Sequence, residues 1–291
     1  MSIKHLMILA VLGTSIGCAG RKAAWQGEEK AGGAANADVQ KLVADGDALW
    51  AERTDPAKIK AAIAAWEKAV AADPKNLDVL VKLTRGNYFL ADGYLRGDEK
   101  EYLRRMDLGV KWGEKAMIAA SPEFAEKMRA GGKLPEAVKS VPKAGVPAMY
   151  WYASSLGKWA KRKGFAVLLG QKDNVKATMD RALELDPNFY YGGPHRYFGA
   201  FYAVAPAFAG GDLAKSKVHF EKSLAIEAKY VGTKVLWAQE LAVKEQDEAT
   251  FDRLLKEVIA TPDDIIPEVR AETIVEKQKA RESLEEKEDL F

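Results

Sequence analysis

Small and bulky side chains recur along this chain at fixed offsets before a proline, and that pattern restricts it to paired helices. In Ala62-x3-Trp66-x2-Ala69-x4-Pro74, two alanines flank a tryptophan at helical spacing and a proline closes the run. Val175-x3-Met179-x2-Ala182-x4-Pro187 and Thr250-x3-Leu254-x2-Glu257-x4-Pro262 repeat the frame, and Ser216-x3-Phe220-x2-Ser223 repeats it with Ala228 in place of proline. A weaker unit ends at Pro122, with Val110 and Met117 in frame but Glu114 where a bulky residue belongs. Small residues let two helices approach closely, and proline ends the second helix because it lacks an N–H and clashes with the preceding turn. Almost no stretch alternates with period two, so the expectation is an all-α fold with essentially no sheet.

The frame is similar to that of tetratricopeptide (TPR) repeats, which recur about every 34 residues. Here the prolines are spaced more widely and unevenly, so some hairpins carry longer helices or inserted loops. Residues 121–148 break the pattern: Gly131-Gly132, Pro135, Pro142, Gly145 and Pro147 exclude a long helix, leaving a short turn of helix over Glu136 to Ser140. An aromatic-rich helix then begins at Val146-Pro147-Ala148-Met149-Tyr150-Trp151-Tyr152. The TPR-like body is read as residues 39–271. Residues 272–291 form a charged helical tail whose Glu and Lys residues read as a solvated face.

Residues 1–17 read as a lipoprotein signal peptide: Lys4, an apolar run from Leu6 to Leu12, then small residues up to Gly17-Cys18. The run is too short to span a bilayer about 30 Å thick as a helix. Cys18 is the sole cysteine. Its position resembles a lipobox with Ser15, Ile16 and Gly17 before it, which makes Cys18 the expected lipidation site. Such acyl chains hold a protein to a membrane. The expected location is the cell envelope, on the outer membrane facing the periplasm. Residues 18–38, rich in Gly, Ala, Lys and Glu without periodicity, read as a lipidated flexible tether with Trp25 exposed.

Lys+Arg number 44 against Asp+Glu 42, with the charges interspersed. A nucleic-acid surface needs a one-signed patch, so none is expected. Gly13-x-Ser15-x-Gly17 matches a nucleophile elbow only by coincidence inside the signal segment. Gly210-Gly211-Asp212 is a turn whose aspartate caps the next helix, since both glycines that a P-loop requires there are Ala209 and Ala214. Past the signal segment only His195 and His219 remain, too few for a zinc site. No cofactor, metal or catalytic set is expected.

The most informative stretch is Asp186-Pro187-Asn188-Phe189-Tyr190-Tyr191-Gly192-Gly193-Pro194-His195-Arg196-Tyr197-Phe198, which joins two hairpins through a Gly-Gly-Pro-His-Arg turn. With Gly210-Gly211-Asp212-Leu213, Lys217-Val218-His219-Phe220 and the Val146-Pro147-Ala148 turn, it resembles the TatT family, the T component of tripartite ATP-independent periplasmic (TRAP) transporters. The resemblance implies a lipoprotein, not an enzyme, beside a TRAP transporter. It also implies association with a periplasmic solute-binding protein, assembly as a homo-trimer, and a lumen suited to a hydrophobic or amphipathic small molecule. The candidate ligand- or partner-binding residues are Tyr150, Trp151, Trp159, Tyr190, Tyr191, His195, Arg196, Tyr197 and Tyr202. Most aromatics at helical spacing belong to the core; the remainder can line a groove. For His195 the alternatives are a packed ring bonded to a loop carbonyl, or a ligand contact. For Arg196 they are a tie to Glu184 or Asp186, or a guanidinium offered to an anion. The alternative function is a scaffold for outer-membrane protein assembly or for control of cell-wall synthases, which would bind polypeptides alone.

Overall fold

The computed structural model describes residues 21–27 and 38–291. Among these residues all regular structure is helical. The helices are α1 (Val39–Ala51), α2 (Pro56–Ala72), α3 (Leu77–Tyr94), α4 (Glu99–Ala120), α5 (Pro122–Arg129), α6 (Leu134–Ala137), α7 (Val146–Lys163), α8 (Phe165–Leu185), α9 (Phe189–Val204) and α10 (Leu213–Ile226). Then follow α11 (Gly232–Leu236), a π-helical stretch (Trp237–Ala242), α12 (Val243–Glu245), α13 (Glu248–Ala260) and α14 (Arg270–Glu285). Short polar side chains start many of these helices by accepting a bond from a first-turn N–H. Asp38, Asp55, Asn76, Asp98, Ser121, Asp212 and Asp247 all do so. Each such cap stabilises its helix by about 1 kcal/mol. The Asp212 cap is the one expected from its turn. The prolines act as stops as read: α2 ends before Asp73-Pro74, α4 before Pro122, α8 before Asp186-Pro187 and α13 before Pro262.

Sequence neighbours pack as antiparallel pairs, α1 on α2, α3 on α4, α7 on α8 and α9 on α10. The small and bulky frame residues lie inside the packing. Ala62, Trp66, Ala69, Val175, Met179, Ala182, Ser216, Phe220 and Ser223 are all buried. Between α7 and α8 the chain reverses through Gly164 alone, at φ 109°, a conformation closed to residues with a Cβ. The registers are marked by contacts. Gly109 of α4 lies against Ser155 of α7, Arg162 of α7 sits 4.6 Å over the Tyr102 ring, and Ser216 Oγ donates to the Gly199 carbonyl at 2.7 Å.

Two expectations require correction. The solvated-face reading of the C-terminal helix fails for Glu272 and Lys279, which are buried. The helix is charged, but Ala271 and Val275 pack into the main core and Ala280 into a second core built from α11, the π stretch and α13. One stripe of α14 therefore joins the two cores, and the charges on that stripe are carried inside with their partners. Trp25 is not freely exposed either: it meets Phe124 edge-on at 6.1 Å. Arg21 donates to Asp107 at 2.6 Å and to Glu114 at 2.5 Å, and the Ala24 N–H donates to Glu114 at 2.7 Å. The out-of-frame Glu114 is the socket for this segment. Cys18 and the signal segment lie outside the described residues.

Candidate functional site

A line of three cavities runs between α3, α7, α14 and the π stretch. The first, about 600 Å³, opens where α3 and α14 end and is walled by polar residues including Arg96, Arg162, Gln278 and Glu282. A constricted central cavity of about 90 Å³ shares Asp92, Gly93, Lys158, Gln239 and Lys279 with it. The third, about 460 Å³, shares Arg85 and Tyr190 with the central one, is bordered by Tyr191, Ile226, Glu227 and Glu268, and opens to the surface. The outer two have the volume of small-molecule sites; the middle has room for only a few waters.

At the first constriction α3 brings Asp92 into the core. It directly follows the apolar run Phe89-Leu90-Ala91 and precedes Gly93, on which Val275 packs. Lys158 of α7 donates to Asp92 at 2.5 Å and Lys279 of α14 at 2.7 Å; Lys279 also donates to Glu276 at 2.8 Å. Burial opposes ionisation of Asp92, but the two ammonium groups outweigh it and hold the carboxyl well below the usual carboxylate range. Burial likewise works against the charge of Lys158, and Asp92 overcomes it, so its pKa is raised. Tyr102, packed nearby, is pushed up to about 12 by burial.

The second constriction is built on Arg85. Its guanidinium lies 5.3 Å from the Trp50 ring centre, 5.5 Å from Trp151 and 5.0 Å from Tyr190. It donates to Glu272 at 2.7 Å and to the Tyr190 hydroxyl at 3.2 Å, while its buried Nε has no partner. Arg53 reaches the same Glu272 at 2.9 Å and also donates to the Glu268 carbonyl. Rings around a cation attract it through their quadrupoles, so this arginine is held by three faces and one carboxylate.

The Gly-Gly-Pro-His-Arg turn supplies the adjoining wall. Tyr190, Tyr191 and Gly192 are all left-handed, at φ 47°, 58° and 70°. Two non-glycine residues in that region cost about 1–2 kcal/mol each. The return is that two carbonyls point at one guanidinium: Arg196 donates to the Tyr191 carbonyl at 3.1 Å and to the Tyr190 carbonyl at 3.2 Å. It also donates to the Tyr150 hydroxyl at 3.0 Å and lies 4.3 Å from the Tyr230 ring centre, with Tyr191 stacked on Tyr230 at 5.1 Å. A Cβ on Gly193 would sit 2.7 Å from the Tyr150 ring, so a glycine is needed for this approach. The expected tie from Arg196 to Glu184 or Asp186 is absent. Those residues lie outside the turn, and the guanidinium is satisfied by neutral oxygens and a ring.

Of the sequence candidates, Tyr150, Trp151, Tyr190 and Arg196 line the central cavity, and Tyr190 and Tyr191 the third. Trp159 packs instead against Ala91, Tyr102 and Met106. Tyr197 and Tyr202 pack around Phe198. His195 is bonded not to a loop carbonyl but to His219, Nδ1 to Nδ1 at 3.1 Å. Sequence reasoning missed Arg85, Asp92, Lys158, Tyr230, Glu272 and Lys279. A readable signal existed: a lone aspartate in the apolar stretch of α3, and Glu272, Val275 and Lys279 at helical spacing on one stripe of α14.

No helix among the described residues is long and apolar enough to cross a membrane, and no group of three His, Cys, Asp or Glu is placed to hold a metal ion. The family model for the TRAP transporter T-component (TAtT) matches residues 67–291. The chain belongs to the TRAP transporter T-component family. Its matched span contains the residues that line the three cavities, while Trp50 and Arg53, which support Arg85 and Glu272, precede it; membership makes the chain an accessory component of TRAP transport. Of the T-component's described parts, residues 21–27 and helix α1 precede the matched span. No curated protein matches the chain.

Proposed function

We propose that this T-component is a lipid-anchored protein of the cell envelope, facing the periplasm. In this reading it docks a periplasmic solute-binding protein and passes a small amphipathic solute along its cavity line. The observation that carries this reading is the succession of the three cavities, each neighbouring pair of which shares wall residues: Asp92, Gly93, Lys158, Gln239 and Lys279 between the first and the central one, Arg85 and Tyr190 between the central one and the third. A solute with a charged group finds Arg96, Arg162, Lys158 and Lys279 in the first cavity and an aromatic wall of Tyr150, Trp151 and Tyr190 beyond it. The central cavity is too small for such a solute at rest, so passage requires the Asp92 ion pairs to part. No bond chemistry is assigned to this chain. The paired helices supply the TPR-like docking surface, and acylated Cys18 supplies the anchor.

Native mass spectrometry of the full chain, alone and with the solute-binding protein, tests the proposal. A retained small-molecule adduct lost in Lys158→Ala, or a complex with that partner, supports it. A ligand-free chain that ignores the partner sinks it and favours a scaffold that binds polypeptides alone.

A further inference from the structure

Two neighbouring hairpin tips leave large apolar side chains in water. Phe208, in the turn between α9 and α10, is 78% exposed; Phe165 and Leu169, in the first turns of α8, are 56% and 40% exposed. The tips lie at one end of the molecule. Lys176 of α8 sits over the Phe198 ring of α9, and the two helices run antiparallel from the 186–192 turn, so the start of α8 comes level with residues 206–210. The apolar turn Phe165-Ala166-Val167-Leu168-Leu169-Gly170 carries no charge, nor does Ala203-Val204-Ala205-Pro206-Ala207-Phe208-Ala209-Gly210. Exposed apolar clusters of this kind mark interaction sites.

Their surroundings select the partner. Immediately before Phe165 stand Lys161, Arg162 and Lys163, all exposed. Lys161 pairs with Glu240, whereas Arg162 is occupied by the Tyr102 ring and the Arg96 carbonyl and meets no carboxylate. Cations flanking exposed phenylalanines at a loop tip are the pattern that enters the boundary between headgroups and acyl chains of an anionic bilayer.

We propose that the α7/α8 and α9/α10 tips form a membrane-docking edge, inserting Phe165, Leu169 and Phe208 into an anionic lipid surface with Lys161, Arg162 and Lys163 at the headgroups. The first cavity, walled by Arg96 and Arg162, opens at that same end.

The experiment places a tryptophan at the tip of the full chain, Phe208→Trp, and another at an exposed site along α10 away from it, Val218→Trp. Each is read against the parent chain on phosphatidylcholine vesicles with and without phosphatidylglycerol. Acyl chains brominated near the headgroup should quench the added emission of Trp at 208 roughly twofold or more beyond that at 218, and more strongly with the anionic lipid. Equal quenching at the two sites overturns the docking edge. So does an emission at 208 that shifts to the blue with protein concentration in the absence of lipid, because the tip then faces a second copy. The mass of the N-terminal peptide separates the two readings. An unmodified Cys18 with a quenched 208 removes the anchor and leaves the edge standing; an acylated Cys18 with an unquenched 208 does the reverse.

Discussion

Two sites along the cavity line hold cations by different means. At Asp92, full charges meet: one carboxylate bridges two ammonium groups from α7 and α14. At Arg196, a guanidinium more deeply buried than the Lys158 ammonium has no acid, and is held by two backbone carbonyls, a tyrosine hydroxyl and a ring face. Arg85 stands between the two types, with three rings and one shared carboxylate. The difference lies in what each depends on. The Asp92 bridge depends on charge balance between three helices and can be parted by another anion. The Arg196 clasp depends on backbone shape, since its carbonyls converge only while Tyr190 and Tyr191 stay left-handed. The first rests on mobile charged side chains and the second on fixed backbone shape.

The largest expected effect is at Asp92. In Asp92→Asn two ammonium groups face a neutral amide; breaking a buried pair from one side costs about 3–5 kcal/mol, and because the Lys158 side chain is 37% exposed the expected loss is at the lower end, about 3–4 kcal/mol. Urea unfolding monitored by circular dichroism measures it. Replacing all three partners with apolar residues, Asp92→Leu with Lys158→Met and Lys279→Met, should recover much of the loss, because the desolvation of the charges disappears with them. A cost below about 1 kcal/mol for Asp92→Asn would mean that water from the first cavity screens the bridge, and the contrast with Arg196 would collapse. The charge also fixes a pH window. The folded pKa of Asp92 lies below its unfolded value. Its stabilising contribution is therefore complete above the unfolded value, near 3.9, and is lost as pH falls through the folded one.

The clasp should break in a different manner. Arg196→Lys keeps the charge but loses the planar fork. With two carbonyls short of a donor, the expected loss is about 2–4 kcal/mol. Tyr191 sharpens the point. Tyr191→Ala keeps the left-handed strain and loses the stack on Tyr230, whereas Tyr191→Gly loses the same stack and relieves the strain. The glycine variant should be the more stable of the two by about 1 kcal/mol. Equal stabilities would show that the left-handed turn stores no strain and that shape does not govern this end.

The uneven legibility of the chain follows the same division. The all-α class and the helix stops were readable because they depend on local chemistry: Asp-Pro steps, small and bulky offsets, and an Asp212 positioned to cap. The aromatic lining of the cavities was readable only in part: Tyr150, Trp151 and Tyr190 crowd beside an unusual turn, but nothing local separates them from Trp159, Tyr197 and Tyr202, which pack elsewhere. The charged lining was not readable. Asp92, Lys158 and Lys279 belong to three helices far apart in sequence, and each alone looks like a surface residue of an amphipathic helix. Glu272 and Lys279 were assigned to solvent for that reason. Only the packing of Ala271 and Val275 into the core turns their stripe inward.

The smallest expected effect tests whether charge matters on the far side of the α9 turn, where His195 and His219 meet between α9 and α10. Burial lowers both pKa values, His219 to about 4, with each further disfavoured by Lys222 and His219 also by His195; Asp180 opposes the shift at His219. One neutral ring donates to the other across 3.1 Å, and a second proton would place two cations at that distance. Because the folded values lie below the unfolded value near 6.5, the unfolded chain takes up protons first as pH falls. The contribution is complete above about pH 6.5 and declines towards pH 4. Both rings are half-exposed, which discounts the effect to about 1 kcal/mol, or a few degrees in Tm. His195→Ala removes one cause of the His219 shift, so thermal melts of this variant should fall less steeply than the parent between pH 6.5 and 4.5. Parallel slopes would mean that solvent already separates the two rings. The α9–α10 pair would then rest on Phe220 and Ser216 packed beneath Gly199, a contact that, like the clasp that precedes it, uses no acid.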